Sequence, residues 1–127
     1  MCKGTVEFAG APAGTDFELG HVGSATYFQF RDSGGASKTH SRTSPAINTW
    51  NYYAARFTSG SLMELFINDV KTSGSIASTA IEASTGGMRI SGTTYRLNGY
   101  ICHVVMYQYA LSDGQILNHY YTGIGAK

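Results

Sequence analysis

Cleavage of a glycosidic bond needs two carboxylates set about 5 to 9 Å apart, commonly on alternate residues of one strand. The eight acidic residues of the chain do not offer that spacing. Glu7, Glu18, Glu64 and Glu82 stand alone. Asp16 and Glu18, at the start of an expected strand, are the only close pair on one face, and a solvated strand edge accounts for them. No serine sits on a strand-to-helix elbow of the kind acyl transfer uses, and Gly4, Gly10 and Gly14 precede no helix that could cradle a phosphate. His21, His40, His103 and His119 show neither HxH nor HExxH spacing, and Cys2 and Cys102 are too far apart in sequence for a zinc knuckle. They are expected as free thiols, unless the fold brings the first strand beside the one carrying Cys102. The expectation is therefore a protein without catalytic residues, metal or cofactor.

Aromatic side chains remain. Nine tyrosines and one tryptophan occur in a chain of which only 13% is charged, and they include Tyr52-Tyr53, Tyr95-Arg96 and Tyr120-Tyr121. Rigid amphipathic rings stack on the apolar faces of sugars, while arginine and amide groups fix hydroxyls. Tyr52, Tyr95 and Arg96 are the candidate ligand-binding residues. Against this, tyrosine is an ordinary strand residue, and Trp50 reads as core.

The elements that must position these rings follow from pattern. With 127 residues the chain has room for one domain, read as 1–127, and its 43% hydrophobic content suffices for a core. A net charge of +1 without runs of like charge gives no footprint for nucleic acid or anionic lipid. No apolar stretch suggests a signal peptide or a membrane span. Sixteen glycines, with Ser, Asn and Asp, separate short runs of Val, Ile, Phe, Tyr and Thr, an all-β pattern. Strands are expected over 5–9, 17–22, 25–31, 37–42, 50–58, 62–68, 75–80, 87–91 and 98–109, with 72–85 as a loop or edge.

Two units are most informative. The runs 50–58 and 62–68 flank Ser59-Gly60-Ser61 and should form a hairpin, and Asn68-Asp69 should turn a second one. Met63, Leu65 and Ile67 alternate with Leu62, Glu64 and Phe66, giving one apolar and one mixed face. The run 98–109 is almost continuously apolar, as in a strand covered on both sides, so Ile101, like Trp50, is expected to be buried. After it Ser112 and Gln115 form a capping box, Leu111 and Ile116 a hydrophobic staple, and Gly123 a stop, which predicts a short helix over 113–121.

These residues resemble the laminin-G-like, concanavalin A-like jelly-roll domains. The resemblance is carried by Thr49-Trp50, Tyr53, Ala55 and Phe57, by Leu62, Leu65, Phe66, Ile67 and Asn68, and by Arg89-Ile90-Ser91-Gly92. It continues through Leu97, Gly99-Tyr100-Ile101, Val104, Met106-Tyr107, Ala110-Leu111-Ser112 and Gln115-Ile116. It implies an all-β, concanavalin A-like jelly-roll sandwich of two antiparallel sheets with one short C-terminal helix. Cys102-His103 stands where calcium-binding relatives carry acidic residues, so a calcium site is not expected.

Two functions then compete. The first is a non-enzymatic structural, decoration or fibre protein of a virion, most plausibly of a bacteriophage, adhesive to surface glycans. The Met1 start without an export signal, the low charge and the Ser/Thr/Gly/Tyr-rich composition favour it. Its partners would be other virion subunits or copies of itself, with cell-surface glycans as ligands. Its location would be the virion surface after synthesis in the host cytoplasm, with no nucleic acid bound and no membrane insertion. The second is a free-standing carbohydrate-binding, lectin-type module of a cellular protein.

Overall fold

A computed structural model describes residues 6–8, 17–46, 48–58, 60–76, 99–107 and 109–123. Among these described residues seven strands form two antiparallel sheets, and one helix follows. β1 (Val6–Phe8), β2 (Phe17–Val22), β3 (Ala25–Arg31) and β4 (Ser37–Thr43) make the first sheet in that order. β5 (Tyr53–Thr58), β6 (Leu62–Ile67) and β7 (Val70–Ser75) make the second, a meander. The helix α1 spans Asp113–Gly123.

Short turns set the register. Val22 faces Ala25 across Gly23-Ser24, and Gly23 takes a φ of 57° that a Cβ would disfavour. Asp32 turns β3 into β4 by accepting the backbone N–H groups of Gly34 (3.0 Å) and Ala36 (2.9 Å) on Oδ1. Thr58 faces Leu62 across a turn in which Gly60 takes a φ of 69°. Ile67 faces Val70 across Asn68-Asp69, with Asn68 at a φ of 56°. The Asn68 side chain also works outside the turn. Its Oδ1 accepts the Tyr52 N–H at 2.9 Å and its Nδ2 donates to Asn51 Oδ1 at 3.1 Å, which fixes the entry to β5.

Alternation along the strands produces the core. Leu19, Phe28 and Phe30 of the first sheet are buried against Met63, Leu65 and Ile67 of the second, with Phe17, Tyr53, Ala55, Phe57 and Ile76 at the margin. Phe30 meets Phe57 edge-to-face at 4.7 Å between ring centres, so one aromatic pair joins the two sheets. At the rim His40 Nε2 lies 3.0 Å from Thr72 Oγ1, and Arg42 Nη1 donates to the Val70 carbonyl at 2.8 Å, so side chains of β4 tie it to β7.

The two hairpins and the capped helix match expectation, and among the described residues β7 is an edge of its sheet, overlapping the start of the segment expected over 72–85 as a loop or edge. The capping box forms in both directions. Gln115 N–H donates to Ser112 Oγ at 3.3 Å, and Ser112 N–H donates to Gln115 Oε1 at 2.8 Å.

Two expectations fail. Trp50 is 55% exposed. It precedes β5 in a turn closed by Thr49 Oγ1 donating to the Ala46 carbonyl at 2.8 Å and by a φ of 69° at Asn48, so it lies outside the strand alternation that would have buried it. Over its described residues, 99–107 and 109, the run 98–109 is not a strand covered on both faces. Its described residues carry no strand assignment, and Tyr100, Val105, Met106, Tyr107 and Tyr109 are exposed. Apolar composition makes a strand only where a neighbour supplies ladder hydrogen bonds, and among the described residues this run has none. Ile101 is accordingly half-buried. The strands expected at 87–91 and over most of 75–80 lie outside the described residues.

Candidate functional site

β6 is buried on both faces. Its inward side chains fill the sandwich, while Glu64 and Phe66 face outward and are only 2% and 1% exposed. A buried carboxylate requires compensation, and two cations supply it, Arg56 and Lys71, which also share Asp113 between them. Arg56 of β5 donates through Nε to Glu64 Oε2 at 2.5 Å, through Nη1 to the Leu111 carbonyl at 2.6 Å and through Nη2 to Asp113 Oδ1 at 2.6 Å. Lys71 of β7 reaches Asp113 Oδ2 at 2.6 Å and Glu64 Oε1 at 3.3 Å. Both cations sit over the Phe66 ring, at 5.5 and 6.0 Å from its centre. The start of α1 is thereby fastened to the outer face of the second sheet.

Arg56 chiefly, with Lys71, holds the Glu64 carboxyl below the usual carboxylate range, and Lys71 and then Arg56 do the same for Asp113. The backbone amide of Ala36 is the leading cause of a similar lowering at Asp32. A carboxyl with a lower pKa in the folded state binds fewer protons folded than unfolded. The stability it adds is complete above the unfolded pKa and is lost as pH falls through the folded one. The denaturation midpoint is therefore expected to fall from about pH 5 downward, and Glu64→Gln should flatten part of that acid limb; an unchanged limb would refute the assignment.

On α1, Ile116 is buried, and His119 and Tyr120, three and four residues on, lie over the same face. They carry a set of rings. Tyr120 lies 5.8 Å from Tyr52, which the Asn68 side chain holds at the entry to β5, and 5.0 Å from Tyr121. His119 stacks on Tyr107 at 5.9 Å with 18° between planes, and Tyr107 meets Tyr109 at 6.1 Å. The two rows adjoin. Burial, with Tyr107 as a further cause, pushes the Tyr52 hydroxyl pKa up. Tyr107, Tyr109 and Tyr121 present ring surface to solvent, being 42%, 66% and 45% exposed. Such an array offers flat apolar faces edged by hydroxyls and an imidazole, which suits stacking on a polyhydroxylated ligand.

Of the candidates drawn from the sequence, Tyr52 lies within this array, half-buried, while Tyr95 and Arg96 lie outside the described residues. Tyr107, Tyr109 and His119 were not anticipated. The i, i+2 spacing of the two tyrosines was visible, but the apolar run around them read as a buried strand. Glu18 accepts hydrogen bonds from the Tyr27 hydroxyl and from Gln29 Nε2, the latter at 2.6 Å, and Asp16 lies outside the described residues. The Tyr27 ring lies so close over Gly20 that a Cβ there would come within 2.4 Å of it. Cys102 is exposed and unbridged. Among the described residues no group of three or more His, Cys, Asp or Glu side chains converges, and no helix is long and apolar enough to cross a membrane.

The family model Laminin_G_3, described as the concanavalin A-like lectin/glucanases superfamily, aligns with residues 4–117. No curated protein and no solved structure matches the chain.

Proposed function

Because the chain belongs to the concanavalin A-like lectin/glucanase superfamily, as a laminin-G-like domain, we propose that it is a non-enzymatic carbohydrate-binding domain whose ligand stacks on the tyrosine array. The superfamily name covers lectins and glucanases alike, so the choice between them rests on this chain's own residues. The observation that carries it is the ring row Tyr109–Tyr107–His119, ordered by mutual stacking yet open to solvent on Tyr107 and Tyr109. Glu18, by contrast, is engaged with Tyr27 and Gln29.

The finer reading places the domain on a virion surface, as a decoration or fibre protein of a bacteriophage that packs against other subunits or copies of itself and adheres to host glycans. The charge-poor, hydroxyl-rich and tyrosine-rich composition supports it. Co-sedimentation of the chain with intact particles would support this setting, and recovery solely as a free protein would remove it.

The binding proposal is tested on a glycan array. A specific hit is expected, and Tyr107→Ala and Tyr109→Ala should each weaken it about tenfold, equivalent to about 1.4 kcal/mol, without loss of the folded near-ultraviolet spectrum. The bound glycan should remain uncleaved. An array without hits, or tyrosine variants that bind like the parent, would overturn the assignment.

A further inference from the structure

Three rings of the array, His119, Tyr120 and Tyr121, ride on α1, yet among the described residues the polar attachment of α1 to the second sheet is concentrated at its first residue and the carbonyl two residues before it. Asp113 is gripped by Arg56 and Lys71 at 2.6 Å each, and Leu111 by Arg56 at 2.6 Å. We propose that Arg56 and Lys71 are positioning residues for the ligand surface: with Glu64 they form an ionic latch that sets where α1 holds its rings against Tyr52 and Tyr107. This rests on the carbohydrate-binding reading for its effect on affinity, but not for its effect on the helix.

The geometry makes the latch a pivot. His119 and Tyr120 lie six and seven residues beyond Asp113, about 9 to 10.5 Å along the axis at 1.5 Å per residue, so a tilt of about 10° at the latch displaces the rings by about 1.5 to 2 Å. Beyond the latch α1 is held by the burial of Ile116 and by the ring contacts themselves. Among the described residues the charged groups facing Asp113 are Arg56 of β5 and Lys71 of β7, with Glu64 of β6 bridging the two cations. Glu64 is buried, whereas Asp113 and Lys71 have side chains 46% and 37% exposed, so either exposed partner can be changed without opening the core.

Amide hydrogen exchange and glycan binding of Asp113→Ala, Lys71→Met and the double variant provide the test. In each single variant, protection factors over 113–123 should fall while those of β2, β3 and β6 hold. The double variant should lose less than the sum, because both changes break one contact. Lys71→Met leaves the helix sequence intact and so separates the latch from the ordinary benefit of an acidic residue in a first turn. Asp113→Glu should recover part of the protection. Affinity for the array hit should fall several-fold in both single variants. Loss with Asp113→Ala but not with Lys71→Met, or unchanged exchange in both, would overturn the latch. Loosened α1 exchange with unchanged affinity would overturn its role in positioning the ligand surface. If the parent chain binds no glycan, the carbohydrate-binding reading fails, while the exchange data still decide the latch.

Discussion

Replacing Arg56 by alanine should destabilise the domain by about 3 kcal/mol, at the lower end of the roughly 3 to 5 kcal/mol seen when one partner of a buried ion pair is removed. The cause is Glu64, which is 2% exposed and would keep only Lys71, at 3.3 Å, as a charged partner. The guanidinium also satisfies the Leu111 carbonyl and covers Phe66, so the variant loses main-chain and ring contacts as well as charge. Arg56→Met, which keeps an apolar stem over Phe66, should lose nearly as much, because the stranded carboxylate is the larger effect. Arg56→Met combined with Glu64→Met should then recover at least half of the loss, since matched apolar replacement of a buried pair is often neutral. Urea denaturation measures all three. A double variant no more stable than Arg56→Met would show that the cost lies in the lost contacts and not in the buried charge.

Phe30→Ala is expected to cost about 3 to 5 kcal/mol, the range for deleting a fully buried aromatic ring. Phe30 is 1% exposed, packs with Phe28 in its own strand and meets Phe57 of the opposite sheet at 4.7 Å. The cavity would open between the sheets, where both backbones are held by ladders and neither can move in to fill it. A double-mutant cycle with Phe57→Ala should give about 0.5 to 1.5 kcal/mol of coupling for the ring pair. Coupling near zero would mean that the two sheets do not face each other through these rings.

How far the sequence reveals this arrangement depends on the distance over which each signal acts. β2, β3 and β6, the hairpin turns at Gly60 and Asn68 and the Ser112 capping box are specified by neighbours within a few residues, and those were readable. Trp50 misled because its burial depends on where β5 begins, which the Asn68 side chain fixes from 16 residues away. The run at 98–109 misled because composition reports the wish to avoid water but not whether a ladder partner is present. The latch could not be foreseen at all. Arg56, Glu64, Lys71 and Asp113 are unremarkable singly, and Arg56 contacts α1 across 57 residues of sequence. Of the ligand surface, Tyr52 was recoverable from residue type alone, while Tyr107 and His119 acquire meaning only once α1 brings them together.

The clamp at Asn68 bears on fidelity more than on strength. Strand side chains alternate, so a slip of one residue between β5 and β6 would turn Met63, Leu65 and Ile67 outward and drive Glu64 into the apolar interior. Both sides of β6 are buried, and hydrophobicity alone distinguishes the two pairings less sharply than it would in a strand with one wet face. Asn68 adds a discriminator that does not depend on hydrophobicity: its left-handed backbone permits the two-residue turn, and its amide reaches the Tyr52 N–H only in the native alignment. Mistaken pairings of the meander thus forfeit this bond and leave the amide without its partner, a penalty that arises within the meander and does not depend on contact with the other sheet.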